Sequence, residues 1–365
     1  MANDLKRQFD LFAPEFEQKA LEVLRKGWYV LGEEVSAFEQ EFADWIGAKY
    51  CVGLGSGLDA LWISFRLLGI RPGDEVIVSS NAYIACVMGI TMNGGTPVFV
   101  DSDRYLNIDA SKIEAAITSR TKAILAVHLF GQTCDMTEIM RIAEKYNLQV
   151  VEDCAQAHGN HWQGRTAGTF GITGCFSFYP TKGCGAFGDG GAVVTDDAEL
   201  ARKFRIFRNY GSEKKYYNSM LGTNSRLDEI QAGLLRVRLS HMQDLNAERQ
   251  RLAECYSKGI NNPLIEKPSV RPGADSVWHQ YVIRCPYRTE LIEYLNRYEI
   301  GSIIHYPIPP YLSEAYAYLG IPEGSFPCTE KAAGEVLSLP LYNGMTEAEQ
   351  NYVIQVLNNF HATVL

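Results

Sequence analysis

Val150-Val151-Glu152-Asp153-Cys154-Ala155-Gln156-Ala157-His158 begins as an apolar strand and ends in two acids followed closely by a glutamine. In an open sheet of parallel strands, ligands collect beyond the carboxyl ends, which is where Asp153 and Gln156 then stand. The competing reading of Asp153 is a helix N-cap. The pattern continues on both sides. Between about residues 50 and 195, short runs rich in Val, Ile and Phe alternate with longer segments of helical period, as expected of a mainly parallel sheet covered by helices. Strands are predicted over residues 50–52, 75–78, 98–100, 123–128, 149–153, 175–178 and 192–195. Seven strands in one block make a single large α/β domain.

The rest of the chain carries its own punctuation. Asp135-Met136-Thr137-Glu138 has the form of a capping box ahead of an apolar stripe at Ile139, Ile142, Ala143 and Tyr146, with Asn147 as the stop. A leading helix is expected around residues 16–24, and residues 226–258 read as one long helical stretch. Beyond 263 the periodicity predicts strands over 281–284 and 303–305 and a last helix over 346–359. No repeat or long linker separates these parts, so a second, smaller domain should pack tightly on the first.

Composition narrows the class. The 365 residues are 46% hydrophobic and 21% charged, which excludes a disordered chain. A net charge of −9 without a basic run speaks against nucleic acid as a partner. No stretch reaches the roughly 18 consecutive apolar residues of a membrane span, and the first residues lack the apolar core of a signal peptide. A soluble, cytoplasmic protein is the expectation, with neither nucleic acid nor membrane as partner. The nine cysteines are scattered and contain no C-x-x-C pair, as expected of reduced, mostly buried thiols and not of disulfides or a zinc site.

Several motifs carry chemistry. Gly53-Leu54-Gly55-Ser56-Gly57 follows a strand and precedes a helical segment. Glycines let the backbone approach a ligand, and free N–H groups at a helix start attract an anion such as phosphate. Leu58 breaks the G-x-G-x-x-G dinucleotide fingerprint, and a plain tight connection competes with the anion reading. Residues 159–166 imitate a phosphate loop with Arg165 where a lysine should stand, and read better as a Gly-rich hairpin. His158 and His161 lack a carboxylate at ligand spacing, so no metal site is assigned. Lys182 is more telling, because it follows a buried strand and sits between Pro180 and a run of glycines. Desolvation there would lower its pKa and free the amine as a nucleophile toward carbonyl groups.

An anion-binding turn, an Asp and Gln at a strand end, and a Lys about 30 residues later are the parts of a pyridoxal phosphate site. In order, Gly27-Trp28-Tyr29-Val30-Leu31-Gly32, Gly55 to Leu61, Glu152 to Gly159, Phe176-Ser177-Phe178-Tyr179-Pro180-Thr181-Lys182, Asn224 to Ala232, His305-Tyr306-Pro307 and Leu339-Pro340-Leu341 span nearly the whole chain. With these motifs the chain resembles the sugar-nucleotide aminotransferases of the DegT/DnrJ/StrS class, of the aspartate aminotransferase fold (fold type I). The resemblance implies an α/β protein with a seven-stranded mainly parallel sheet. Residues 1–245 would form an N-terminal arm and large cofactor-binding domain, and 246–365 a smaller C-terminal α+β domain.

The resemblance also implies roles. Lys182 would be the nucleophile and proton shuttle for pyridoxal 5′-phosphate, and Asp153 would keep the pyridine nitrogen protonated. Gln156 would meet the phenolic oxygen, Tyr83 would stack on the ring, and Ser56, Gly57 and Ser177 would hold the phosphate. Asn224 would reach the phosphate of a neighbouring subunit in a homodimer. Tyr29, His158, His305 and Tyr306 are candidate walls for substrate, each with ordinary packing as its alternative. Asn81-Ala82-Tyr83-Ile84-Ala85 is similar to the Asn-Thr-Tyr-Ile-Ala of enzymes aminating C3 of TDP-linked 3-keto-6-deoxyhexoses. Ala82 departs from that pattern, as Gly183-Cys184 departs from the commoner Asn-Leu after the lysine. The expected reaction is amination of a nucleotide-linked keto sugar, with L-glutamate as donor, toward a deoxyamino sugar for O-antigen, S-layer glycan or antibiotic. A 4-keto sugar aminotransferase is the nearest alternative. A sugar dehydratase of the same fold goes with His in place of Lys182, and a cofactor-binding sensor ranks last, since the chain ends at Leu365 with no DNA-binding extension.

Overall fold

The computed structural model describes residues 3–362. All seven predicted strands form one sheet, because each places β-branched or aromatic side chains on two covered faces. They are β1 (Tyr50–Leu54), β2 (Glu75–Ser79), β3 (Thr96–Val100), β4 (Thr121–Val127) and β5 (Gln149–Asp153). The short hairpin β6 (His161–Trp162) and β7 (Arg165–Thr166) follows, then β8 (Thr173–Ser177) and β9 (Gly191–Thr195). Residues 159–166 are thus the expected hairpin. The sheet order is β1-β9-β8-β5-β4-β2-β3. Only β9 runs against its neighbours; β5 pairs in parallel with both β4 and β8. The register aligns Val127 with Asp153 and Asp153 with Cys175, so these strands end at one level.

Alternation along each strand divides the core between the faces. Val76 and Val78 join Leu125, Val151, Cys175 and Val193 on one side, with Leu61 and Phe65 of helix α4 (Gly57–Leu67), which follows α1 (Leu5–Asp10), α2 (Ala13–Lys26) and α3 (Glu33–Ile46). Ile77, Ile124, Ala126 and Val150 turn to the other, against Ile139 and Ile142 of Met136–Tyr146. That helix starts as predicted: the Asp135 side chain accepts from Glu138 N–H at 3.1 Å, and Asn147 closes it in the left-handed conformation.

The helical regions depart from expectation in two places. The leading helix is Ala13–Lys26, preceded by Leu5–Asp10. The stretch 226–258 is two helices, Glu229–Ser240 and Met242–Gly259, because His241 leaves helical geometry at φ −104°, ψ 3°. Its ring stacks on Phe12 at 3.8 Å and its Nε2 meets Glu15, contacts that periodicity alone does not reveal. The helix after the break begins in the large core with Met242 and Leu245 and ends in a separate one with Leu252 and Tyr256. That second core lies within residues 252–360, around the antiparallel pair Tyr281–Arg284 and Val336–Leu339. The predicted strand over 303–305 is instead a single bridge from Ile303 to Ser338. The last helix, Glu347–Asn358, has a full capping box between Thr346 and Glu349. All nine cysteines are unbridged and seven are buried. Among the described residues no helix is long and apolar enough to cross a membrane.

Candidate active site

A cavity of about 450 Å³ opens at the carboxyl ends of β1, β4, β5 and β8. One wall is the start of α4. Ser56 caps it, its Oγ accepting from Asp59 N–H at 3.1 Å, which leaves the hydroxyl hydrogen free to donate. The first N–H groups of the helix have no helical acceptor. Gly57 is required by close approach: a Cβ there would stand 2.5 Å from the Cβ of Ser177. A Cβ on Gly191 would collide with the Ser56 backbone. The turn is braced from behind. Asp59 accepts from Trp62 Nε1 and from Ser225 Oγ, both at 2.8 Å, while Ser225 Oγ accepts from Gly55 N–H at 3.0 Å. Sequence reading missed Asp59 and Ser225, whose pairing closes 166 residues of chain.

The adjacent acids of β5 point to opposite sides, as successive strand residues must. Glu152 is structural: it accepts from the backbone N–H of Gly168, Phe170 and Gly171 and from His128 Nε2 at 2.9 Å. Because His128 Nδ1 accepts from Cys134 N–H at 3.1 Å, its hydrogen sits on Nε2. Asp153 instead faces the cavity, with Oδ1 held by Ala155 N–H at 3.0 Å and Oδ2 by the Cys86 thiol at 3.0 Å. Gln156 is oriented by its own partners. Its Oε1 accepts from Phe130 N–H at 2.6 Å, so its Nε2 turns to the Tyr306 hydroxyl at 3.1 Å. The Tyr83 and Tyr306 rings meet at 5.1 Å along the cavity wall.

Lys182 reaches the same cavity from the loop after β8, its N–H donating to the Tyr179 carbonyl at 2.8 Å. Burial lowers the pKa of its amine, and the charge of Asp153 opposes that shift without reversing it. His305 stands beyond, accepting at Nε2 from Gln280 at 3.0 Å and donating from Nδ1 to Ser338 Oγ at 2.8 Å. Burial, then the Lys182 charge, push its pKa down to about 4, so it is neutral at physiological pH. His279 lines the cavity as well and is pushed well below its usual value by burial. His279, Gln280 and Cys86 escaped sequence reading; the first two form a polar pair just ahead of a predicted strand, the signal that could have found them.

Nine of the residues singled out from the sequence therefore line one cavity: Ser56, Gly57, Tyr83, Asp153, Gln156, Ser177, Lys182, His305 and Tyr306. Three do not. His158 is core and not a wall: it is 1% exposed, packed against Phe176 and Phe178, with its pKa pushed down to about 3 by burial. Tyr29 is exposed before Glu33–Ile46, its hydroxyl donating to the Leu24 carbonyl at 3.2 Å. Asn224 is exposed and bridged to Asn209, outside the cavity of its own chain.

A family model described as the DegT/DnrJ/EryC1/StrS aminotransferase family matches residues 11–358. The chain is 48% identical over 356 residues to the dTDP-3-amino-3,6-dideoxy-alpha-D-galactopyranose transaminase of Aneurinibacillus thermoaerophilus, covering 97% of this chain and 98% of the relative. It is 46% identical over 340 residues to the dTDP-3-amino-3,4,6-trideoxy-alpha-D-glucose transaminase of Streptomyces venezuelae, covering 93% and 90%. The crystal structure of S. venezuelae DesV matches with a TM-score of 0.96 at 44% identity, over 98% of this chain and 97% of that one.

Proposed function

Because the chain belongs to the DegT/DnrJ/EryC1/StrS aminotransferase family, we propose that it aminates a nucleotide-linked keto sugar using pyridoxal 5′-phosphate, with Lys182 as its catalytic amine. The observation that carries this reading is one cavity holding a desolvated lysine, a buried carboxylate and a helix start that only glycine fits. These groups suit the cofactor. Ser56, Gly57, Ser177 and the N–H groups of α4 would hold its phosphate, Asp153 its ring nitrogen and Gln156 its phenolic oxygen. When bound, the cofactor supplies an electron sink for the carbanion formed as a proton leaves carbon.

The chain's own groups do the rest. Lys182 Nζ takes the proton from Cα of the amino donor, which we assign as L-glutamate, and in the return half delivers a proton to the sugar carbon receiving the amine. Burial favours the neutral amine this needs. Asp153 would hold positive charge on the ring when the cofactor is bound, and the Tyr83 and Tyr306 rings would form an aromatic wall beside it. Gln156, oriented by Phe130 N–H at its oxygen, presents its Nε2 donors on the side of the Tyr306 hydroxyl. The division at 245/246 and a cytoplasmic location belong to the same reading, the latter supported by nine unbridged cysteines. The product would serve a deoxyamino sugar of an O-antigen, S-layer glycan or antibiotic.

The complete enzyme in this reading is a homodimer in which Asn224 reaches the neighbouring phosphate; its exposure on its own chain supports that role. Asn224→Ala should then release cofactor on dialysis several-fold faster while the dimer, followed by sedimentation, persists. Unchanged retention would remove Asn224 from the site.

The preferred acceptor is a TDP-linked 3-keto-6-deoxyhexose, as the two transaminase relatives and Asn81-Ala82-Tyr83-Ile84-Ala85 support. Moving the carbonyl one carbon round the ring misplaces every hydroxyl, at a cost of about 1–3 kcal/mol per buried group left unpaired, or roughly 5- to 150-fold in rate. The 3-keto sugar should therefore be aminated in preference to the 4-keto isomer, across a panel of TDP- and UDP-sugars of both C4 configurations. NMR of the product locates the amine, and efficient C4 amination without C3 product would overturn this choice.

A further inference from the structure

Cys86 has no part in the roles assigned so far. It lies in the first turn of Ile84–Thr91, its N–H donating to the Tyr83 carbonyl at 3.0 Å, and its Sγ stands 3.0 Å from Asp153 Oδ2. Both residues are buried, and both line the cavity. An ionised carboxylate only accepts, so the thiol is the donor. Burial first, and the Asp153 charge second, push the thiol pKa well above its usual value, so the proton remains on sulfur. With Ala155 N–H on the other oxygen, both ends of the carboxylate are held. The same contact ties the short helix capped by Tyr83 to the end of β5.

Resting on the reading that Asp153 serves the cofactor ring, we infer that Cys86 is a positioning residue whose thiol orients the Asp153 carboxylate and sets how strongly that carboxylate holds the ring proton. A thiol is a weaker donor than a hydroxyl. It fixes direction while withdrawing little of the carboxylate's negative charge, so that charge stays aimed at the ring nitrogen. Without any donor at that oxygen, the carboxylate loses its fixed direction toward the ring nitrogen, and its charge holds the ring proton less well. A less positive ring leaves the conjugated nitrogen at Lys182 more basic, and the pH midpoint of the cofactor's visible absorbance rises. A serine hydroxyl restores a donor at the same place and returns the midpoint toward the wild-type value.

The test compares Cys86→Ala and Cys86→Ser in the holoenzyme. Cys86→Ala should lower kcat about tenfold, with KM for donor and sugar changed by less than about twofold, and raise the absorbance midpoint by about half a pH unit. Cys86→Ser should restore kcat to within about threefold and return the midpoint toward the wild-type value. Infrared spectra of the apoprotein give a readout independent of turnover: the S–H band lost in Cys86→Ser should shift in Asp153→Asn. An Ala variant with unchanged kcat and midpoint overturns the inference. So does a pair of variants that lose only thermal stability, which would make Cys86 a packing residue. Asp153→Asn with wild-type turnover and bound cofactor is a separate outcome, and that one sinks the site reading itself.

Discussion

Lys182→Ala should retain the fold and bind cofactor, yet lose turnover by about 10⁴-fold or more, since one amine serves both as nucleophile and as proton carrier. The side chain projects from a loop whose backbone is held independently, by Lys182 N–H to the Tyr179 carbonyl and by the close approach of Gly185 to Pro180, so its truncation leaves the loop in place. Lys182→Arg should fail as completely, because a guanidinium does not give up its proton at any working pH. Wild-type protein with bound cofactor should be yellow, and borohydride should leave the cofactor covalently on Lys182 by peptide mapping. Label at another residue, or a Lys182→Ala variant with near-wild-type rate, would refute the assignment. The lowered pKa fixes the sign of the acid limb: the amine stays neutral to lower pH than an ordinary lysine, and rate falls only as pH drops below that lowered value.

Asp153→Asn should cut turnover about a hundredfold or more with little cost to the fold. The amide has nearly the shape of the carboxylate, and its oxygen can still accept from Ala155 N–H, while its NH₂ faces the Cys86 sulfur, a weak acceptor. Stability should therefore fall by only about 1 kcal/mol in denaturant unfolding. Lost charge has a second effect. Asp153 holds the Lys182 pKa up, so its removal should move the acid limb of the residual rate to lower pH. Unchanged turnover with cofactor bound would make Asp153 a structural cap. An acid limb moved upward would contradict the electrostatic link between the two groups.

The large-domain strands and the capped helices were readable in the sequence because both are local. Alternating β-branched residues specify strands such as β2 and β5 wherever both faces are covered. Asp135, Asn147 and Thr346 stop or start helices through bonds spanning only a few residues. Motifs at strand ends, including Asp153, Gln156 and Lys182, also converge by a rule of open sheets and not by any special contact. Expectations failed where a distant surface decides. His241 breaks a continuous helical period to meet Phe12 and Glu15. Residues 303–305 find one bridging partner instead of a ladder.

The sheet, the order of its motifs and the end of the sheet at which they gather are written in the chain, since these follow from backbone geometry and short-range pattern. The choice of Asp153 was legible at the strand end, but what Glu152 does instead was not: it is consumed by the turn at 168–171 and by His128. Packing of the whole chain decided that His158 is core, that Ser225 braces the anion turn through Asp59, and that Cys86 faces Asp153. The physical reason is common to all three. A side chain's burial and partners depend on which distant element packs against it, and a hydrogen bond between groups 67 or 166 residues apart leaves no periodic trace in the chain.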